Sequence, residues 1–225
     1  MLVKSGNLFF RYRNYFFAFM YAALFIPSPG LFSDVRTAIL LGSIVIACGI
    51  LTRSITIGLV YIIRGGVRRQ IHAETLVTEG IYTVCRNPMY LGNLLLLLGF
   101  GLFSNSLLFT SLFFPLFVFI YIAIIKAEEA FLSGKFGSRF DSYRRNTSAL
   151  LPKMGRIGEA FKGRRFNFRK VISKEHNSLY LYFEGILLLL LYHSRISIPV
   201  FVVATVLLSL IYLIVKILKK SKKLE

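Results

Sequence analysis

Two short polar stretches interrupt an apolar chain, and the first has residues suited to holding a flat, charged ligand. Tyr82 and Tyr90 each offer an aromatic face and a hydroxyl group. Gly80 permits backbone conformations that other residues avoid, and Pro88 fixes its own backbone angle. An irregular backbone at a membrane boundary exposes amides and carbonyls that can hold a polar ligand. An ordinary re-entrant connection is an equally good interpretation of this segment.

The second stretch begins with two adjacent acids, Glu128 and Glu129, at the end of an apolar segment. The C-terminal end of a helix disfavours anions, so these carboxylates gain nothing from the helix dipole. A cationic ligand nearby would offset that cost, although a solvated helix end is the simpler alternative. Arg53 and Glu184 also lie in apolar segments, and we expect Arg53 to snorkel or to pair with Glu184.

The composition indicates a membrane protein. Of the 225 residues, 56% are hydrophobic and 17% are charged, against about 25% charged in a soluble domain. This excludes a soluble globular enzyme, and also a disordered chain, which needs low hydrophobicity. The pattern predicts an all-α, polytopic integral membrane bundle of about six transmembrane helices. The six apolar segments are 15–32, 37–63, 90–104, 107–125, 179–192 and 197–215.

The basic residues predict an orientation. The formal net charge is +18, and a six-span arrangement places 25 of the 28 Lys and Arg residues on the side of both termini. The positive-inside rule therefore predicts a multi-pass protein with both termini in the cytoplasm, and it explains the charge without nucleic acid. We expect residues 153–178, which are basic with interleaved apolar side chains, to form an interfacial helix rather than a plain loop.

We divide the chain into four parts. These are N-terminal transmembrane helices (1–63), a core with a loop, a helical hairpin and a cytoplasmic lid (64–152), the basic segment (153–178) and a C-terminal hairpin with a basic tail (179–225). The two cysteines and three histidines are scattered, which predicts neither a disulfide scaffold nor a metal site.

The two polar stretches resemble the motifs of membrane-embedded methyltransferases, which include isoprenylcysteine carboxyl methyltransferase and the phospholipid methyltransferases. That family's first motif, Leu-Val-Thr-x-Gly-x-Tyr and then Arg-His-Pro-x-Tyr-x-Gly, is similar to residues 76–82 and 86–92. The second motif follows a hydrophobic hairpin, and the resemblance covers roughly 64–152. Its matching residues are Glu128, Glu129, Leu132, Phe136, Gly137, Phe140, Tyr143 and Pro152.

The resemblance implies S-adenosylmethionine as methyl donor, bound on the cytoplasmic side under the loop that follows the hairpin. Tyrosine faces suit its sulfonium and adenine, and Glu128 suits its ammonium group. The implied donor contacts are Gln70, Thr75, Leu76, Val77, Tyr82, Asn87, Pro88, Met89, Tyr90 and Glu128.

Two departures from the family bear on the acceptor. Asn87 replaces the motif's histidine and cannot titrate as a base. Ile124 stands where isoprenylcysteine enzymes carry an arginine for the substrate carboxylate, and Lys126 cannot reproduce a bidentate fork. An amine or another lipophilic nucleophile is favoured, with Glu129 as the candidate catalytic proton acceptor.

We therefore expect a membrane enzyme that methylates a lipophilic substrate reached from the bilayer, either a phospholipid or amine head group or an isoprenylcysteine-like acid. The alternatives are an NADPH-dependent reductase of the membrane steroid-reductase type and a non-catalytic scaffold. Asn87 and Ile124 are the residues that favour the scaffold. Membrane lipids are the expected surroundings, and the sequence does not predict an oligomeric state.

Overall fold

A computed structural model describes residues 2–60 and 71–221, and helices dominate this part of the chain. Short 3₁₀ turns at Gly80–Thr83 and Met154–Arg156 and a π-helical turn at Phe109–Phe113 lie between or beside the α-helices. The α-helices are α1 (Leu2–Ala23), α2 (Val35–Leu59), α3 (Pro88–Phe103), α4 (Phe114–Phe136), α5 (Ser138–Asn146), α6 (Ile157–Phe161), α7 (Phe168–Tyr192) and α8 (Ile198–Lys220).

The predicted all-α bundle is confirmed. Helices α1, α2, α3, α4, α7 and α8 alternate in direction, so their connections fall at two ends. The hairpin end has the connections 24–34, 104–108 and 193–197, and the site end has 71–87 and 137–167. Within residues 2–60 and 71–221, three helices are long and apolar enough to cross a membrane: Val35–Leu59, Phe109–Phe136 and Ile198–Lys220. Helix α3 is apolar but shorter. The count of six spans and their orientation stay predictions.

The predicted first span, 15–32, is wrong in its bounds. Helix α1 runs from Leu2 to Ala23, and residues 24–34 form the connection to α2. Pro27 and Pro29 cannot donate helical hydrogen bonds, which explains the early end. The hydropathy pattern did not reveal the start of α1, because Lys4 and Arg11 lower the hydropathy of its first turns.

Helices α2 and α3 pack closely through glycines. A Cβ atom at Gly42 would lie 2.5 Å from the backbone nitrogen of Phe103, and one at Gly99 would lie 2.7 Å from that of Ile46. A Cβ atom at Gly92 would lie 2.6 Å from Cγ of Arg53. Small residues at helix contacts let backbones approach in membranes. This contact positions the start of α3.

The hairpin end is closed by a tight turn. Asn105 adopts a positive φ of 53°, and its side chain accepts a hydrogen bond from the Phe32 amide at 2.8 Å. The Leu31 amide donates to the Asn105 carbonyl at 3.2 Å, and Gly30 bridges to Ser106. The predicted hairpin between the third and fourth apolar segments is therefore confirmed.

The predicted pairing of Arg53 with Glu184 is wrong. Arg53 forms a buried ion pair with Glu175 of α7, in which Nη2 donates to Oε2 at 2.9 Å, and it also hydrogen bonds Asn93. Glu184 instead accepts a hydrogen bond from Thr205 of α8 at 3.0 Å. Glu175 lies nine positions nearer the site end of α7, level with Arg53. The ion pair attaches the C-terminal hairpin to α2 and α3.

The predicted single interfacial helix over 153–178 is wrong as well. The segment has the short helix α6, a loop and the first turns of α7. The Asn167 amide donates to the Gly58 carbonyl at 3.0 Å, and the Phe166 ring lies against Gly58. A hydrogen bond between the start of α7 and the end of α2 interrupts the continuous helix expected from the pattern.

We expect Gly42→Val to destabilise the bundle by about 1–3 kcal/mol, because its side chain would overlap the backbone of Phe103. The measurement is the temperature at which purified protein loses its monodisperse peak in size-exclusion chromatography. Gly134→Ala is the control, since a Cβ atom there has no neighbour within 4 Å. Equal midpoints for both variants would contradict the close packing of α2 and α3.

Candidate functional site

The two polar stretches meet at the site end of the bundle. Arg86, in the turn before α3, forms a buried ion pair with Glu129 near the end of α4. One helical turn into α3, the Tyr90 hydroxyl donates a hydrogen bond to Oε1 of Glu128 at 2.7 Å. Residues 38 and 43 positions apart in the sequence are therefore in direct contact.

Arg86 joins three parts of the site. Its guanidinium binds Glu129, and its Nη1 donates to the carbonyl of Arg144 at 2.9 Å and to that of Thr147. Lys126 adds a second cation, 3.6 Å from Oε2 of Glu129. Burying an arginine is costly unless a carboxylate and hydrogen-bond acceptors compensate its charge. Arg86 thus fixes the end of α5 relative to α4.

The segment 147–153 covers the turn before α3, and we call it the lid. The Arg86 amide donates to the Ser148 carbonyl at 2.9 Å, and the Asn87 amide donates to the Ala149 carbonyl at 3.1 Å. The lid amide of Lys153 donates to the Val84 carbonyl at 3.0 Å. This backbone pairing runs along the whole turn. The lid position follows from main-chain bonds as well as from Arg86.

Asn87 contributes to the lid contact through its side chain. Its Nδ2 donates to the Ala149 carbonyl at 3.1 Å, while its own carbonyl accepts the amides of Tyr90 and Leu91 at 3.0 Å each. Pro88 follows as the first residue of α3, where a missing N–H group costs nothing. The asparagine that replaces the motif's histidine thus links the lid to the start of α3.

The predicted donor contacts fall into two groups. Asn87, Pro88, Met89, Tyr90 and Glu128 lie together around the start of α3. The others lie in the segment that precedes this turn or outside the described residues. Tyr82 is buried, and its carbonyl accepts the Tyr143 hydroxyl at 2.7 Å; Leu76 and Val77 are half-buried, Thr75 is exposed, and Gln70 lies outside the described residues.

Two cavities adjoin this site. An open cavity of about 580 Å³ lies between α1, the segment that begins at Ile71, and α4 at Ala127 and Phe131. A smaller one of about 80 Å³ lies between α1, α3 and α4, next to Tyr90 and Ile124. In the smaller cavity the Tyr121 ring is 5.2 Å from the Tyr90 ring. Tyr90 lines the smaller cavity, and Ala127, the residue before Glu128, lines the larger one.

The sequence motifs did not indicate that α1 lines the larger cavity. Lys4, Asn7, Leu8 and Arg11 line its wall. Their spacing places them on one helix face, which is the signal that could have revealed them. This wall adds two cations, Lys4 and Arg11, to the site end of the bundle.

Comparison with known proteins supports the resemblance drawn from the motifs. Residues 37–139 match the sequence model of the phospholipid methyltransferase family. This region runs from the start of α2 to the start of α5 and includes the first polar stretch and the beginning of the second, up to residue 139. The resemblance to membrane-embedded methyltransferases is confirmed, and the chain is a membrane protein.

Three curated proteins are similar over part of the chain. The cobalt-zinc-cadmium resistance protein CzcN of Cupriavidus metallidurans is 41% identical over 81 residues, which are 36% of this chain and 37% of that protein. The nickel-cobalt-cadmium resistance protein NccN of Alcaligenes xylosoxydans xylosoxydans is 35% identical over 79 residues, or 35% and 37%. The protein-S-isoprenylcysteine O-methyltransferase of Schizosaccharomyces pombe is 32% identical over 77 residues, or 34% and 33%.

These similarities are limited in extent. The matched stretches cover only 33–37% of each relative's length. The names of the two resistance proteins state no chemical reaction. No solved structure matches the chain.

We expect Arg86→Met and Glu129→Met each to destabilise the protein by about 3–5 kcal/mol, because each leaves an uncompensated buried charge. The double variant should lose less stability than either single variant, since neither charge is then left buried alone. Thermal midpoints of the purified proteins measure this. If the two single losses simply add in the double variant, the ion pair does not couple the two stretches.

Proposed function

We propose that this chain is an integral membrane methyltransferase that transfers a methyl group from S-adenosylmethionine to a lipophilic acceptor. The observation that carries the proposal is the contact of Tyr90 with Glu128 at the site end of the bundle. It joins the two motifs that resemble the family. The matches to the phospholipid methyltransferase family and to an isoprenylcysteine methyltransferase support the same reaction class.

Residues in and beside the 580 Å³ cavity fit the donor's chemical groups. Lys4 and Arg11 in its wall offer cations to the donor's carboxylate, and Glu128, which follows the wall residue Ala127 in α4, offers a carboxylate to its ammonium group. The ring of Tyr90 offers an aromatic face to the sulfonium cation. Both charges of the donor's amino-acid head are therefore complemented, and we assign this cavity to the donor.

The donor supplies an activated methyl group on sulfur, so the protein needs no covalent intermediate. The work of this chain is then to orient the acceptor and to exclude water. The lid covers the turn before α3 through main-chain hydrogen bonds, and the buried Arg86–Glu129 pair fixes its start. Ile124 and Tyr121 give the small cavity beside Tyr90 apolar and aromatic walls.

Glu129 is suited to positioning in this arrangement. Its Oε1 is bound by Arg86, and its Oε2 lies 3.6 Å from Lys126. Both carboxylate oxygens are therefore engaged by cations. Its catalytic role stays a prediction, and a positioning role for the lid follows more directly from its contacts.

The site lies at the end of the bundle that also holds the start of α1, the end of α8 and most basic residues. The positive-inside rule assigns that end to the cytoplasm. We therefore propose a multi-pass arrangement with the donor site on the cytoplasmic side. Donor and product then exchange with the aqueous phase, while the acceptor comes from the bilayer.

We expect Glu128→Ala to weaken donor binding beyond detection and Tyr90→Phe to weaken it about three- to tenfold. The second variant loses one hydrogen bond, worth about 0.5–1.5 kcal/mol. Isothermal titration calorimetry with S-adenosylhomocysteine measures both. Glu159→Gln is the control, since that acid is exposed in α6, outside the site.

Unchanged binding in both site variants would refute the assignment of the donor site. A parallel titration with NADPH separates the reaction classes. Tight binding of the dinucleotide without binding of S-adenosylhomocysteine would replace the methyltransferase proposal with a reductase.

A further inference from the structure

A third cavity lies within the bundle and involves a helix beyond the family match. It has a volume of about 840 Å³ and lies between α1, α3 and α7, with Arg53 of α2 at one side. Helix α7 supplies Ser178, Tyr182, Gly185 and Leu188 to its wall. The match to phospholipid methyltransferases ends at residue 139, so this wall is not part of the matched region.

The cavity is polar at one end and largely apolar at the other. Arg13, Asn93 and Ser178 line the half nearer the site end, whereas Leu97, Phe100 and Leu188 line the half nearer the hairpin end. In the second half Glu184 also belongs to the wall; its Oε1 accepts a hydrogen bond from Thr205 of α8, and its buried Oε2 has no hydrogen-bond partner among the described residues. This distribution matches an amphiphile with its head towards the site and its chain away from it.

The polar half shares part of its wall with the small cavity beside Tyr90. Arg13 and Asn93 line both this cavity and the small cavity that contains Tyr90. Asn93 is three positions after Tyr90 and therefore lies on the same face of α3. A head group beside Asn93 is thus one helical turn from the proposed donor contact.

The charged side chains of the polar half determine which kind of head group this cavity favours. The guanidinium of Arg53 is compensated by Glu175 in a buried ion pair. Arg13 adds a second guanidinium to the polar half, with its Cζ atom 4.5 Å from the Phe10 ring centroid. Guanidinium groups of both arginines therefore lie at the polar half, which favours a phosphate or carboxylate over an ammonium head.

We propose that this cavity binds the methyl acceptor as an anionic amphiphile and that Gly185 sets the length of chain it accepts. The proposal rests on the proposed methyltransferase function for the acceptor's fate, but the binding site stands on the cavity itself. The wall of α7 from Ser178 to Leu188 spans ten residues, or roughly 15 Å, and Gly185 lies roughly 10 Å along it.

Gly185 keeps the apolar half open. A Cβ atom there would lie 3.3 Å from the Phe100 ring and 3.4 Å from the Tyr21 ring, and both rings line the cavity. A larger side chain would enter the space between them. Chains that end before this point would be unaffected, whereas longer chains would be displaced.

Photo-crosslinking of the purified full-length protein in detergent tests the proposal. The probes are octyl, dodecyl and hexadecyl phosphates with a diazirine at the chain end, mapped by peptide mass spectrometry. We expect hexadecyl phosphate to label α3 or α7 near Phe100 and Leu188. Gly185→Leu should reduce that labelling at least about tenfold, because each displaced methylene group is worth about fourfold in affinity. Octyl phosphate should label both proteins equally.

Three further variants keep the test decisive. Gly185→Ala, whose Cβ contacts only ring edges that can shift, should give an intermediate loss if the leucine variant fails to fold. Gly134→Leu is the matched control, because a Cβ atom at Gly134 has no neighbour within 4 Å. Arg13→Gln should weaken labelling by every phosphate probe irrespective of chain length.

Three results would overturn the inference: labelling outside this cavity, equal loss for all chain lengths in Gly185→Leu, or equal labelling by hexadecyl ammonium. Titration of each variant with S-adenosylhomocysteine separates this inference from the proposed function. Absence of donor binding with chain-selective labelling would reject the methyltransferase and keep the amphiphile site. Donor binding without chain-selective labelling would reject the amphiphile site and keep the methyltransferase proposal.

Discussion

The arrangement of the site depends on the buried ion pair between Arg86 and Glu129. A charged group taken out of water must be compensated, and Arg86 is compensated only when the end of α4 and the start of the lid come to it. That requirement brings together two stretches that the helical hairpin separates by 43 positions. The Tyr90–Glu128 contact and the lid position follow from it.

A second buried ion pair explains how the C-terminal hairpin joins the core. Helix α8 packs on α7, and α7 is held to α2 and α3 by Glu175, Arg53 and Asn93. Inside a membrane, apolar surfaces give helices little reason to associate, and polar contacts and close packing supply it. The same contacts place α7 opposite α1, which leaves the long cavity between them. The ion pair that attaches α7 to α2 thus also creates the cavity that we assign to the acceptor.

Local patterns predicted the helices well and their partners poorly. Each of the six predicted apolar segments overlaps one of the long helices of the described residues. The reason is that a backbone in apolar surroundings must satisfy its own hydrogen bonds, and a helix does so. The start of α1 at Leu2 and that of α7 at Phe168 were hidden by basic residues. Both Glu175 and Glu184 lie on α7, and only the depth of the packed helices selects the former for Arg53. The motifs identified Tyr90 and Glu128, whereas the wall supplied by α1 lies outside them.

In the proposed enzyme, the two polar stretches enclose the methyl donor together. An experimental structure of the full-length protein with S-adenosylhomocysteine tests it most directly. We expect density for the nucleoside amino acid in the cavity beside α1, in contact with Glu128 on one side and with the turn before α3 on the other. Density that touches only one of the two stretches, or lies at the hairpin end, would contradict it.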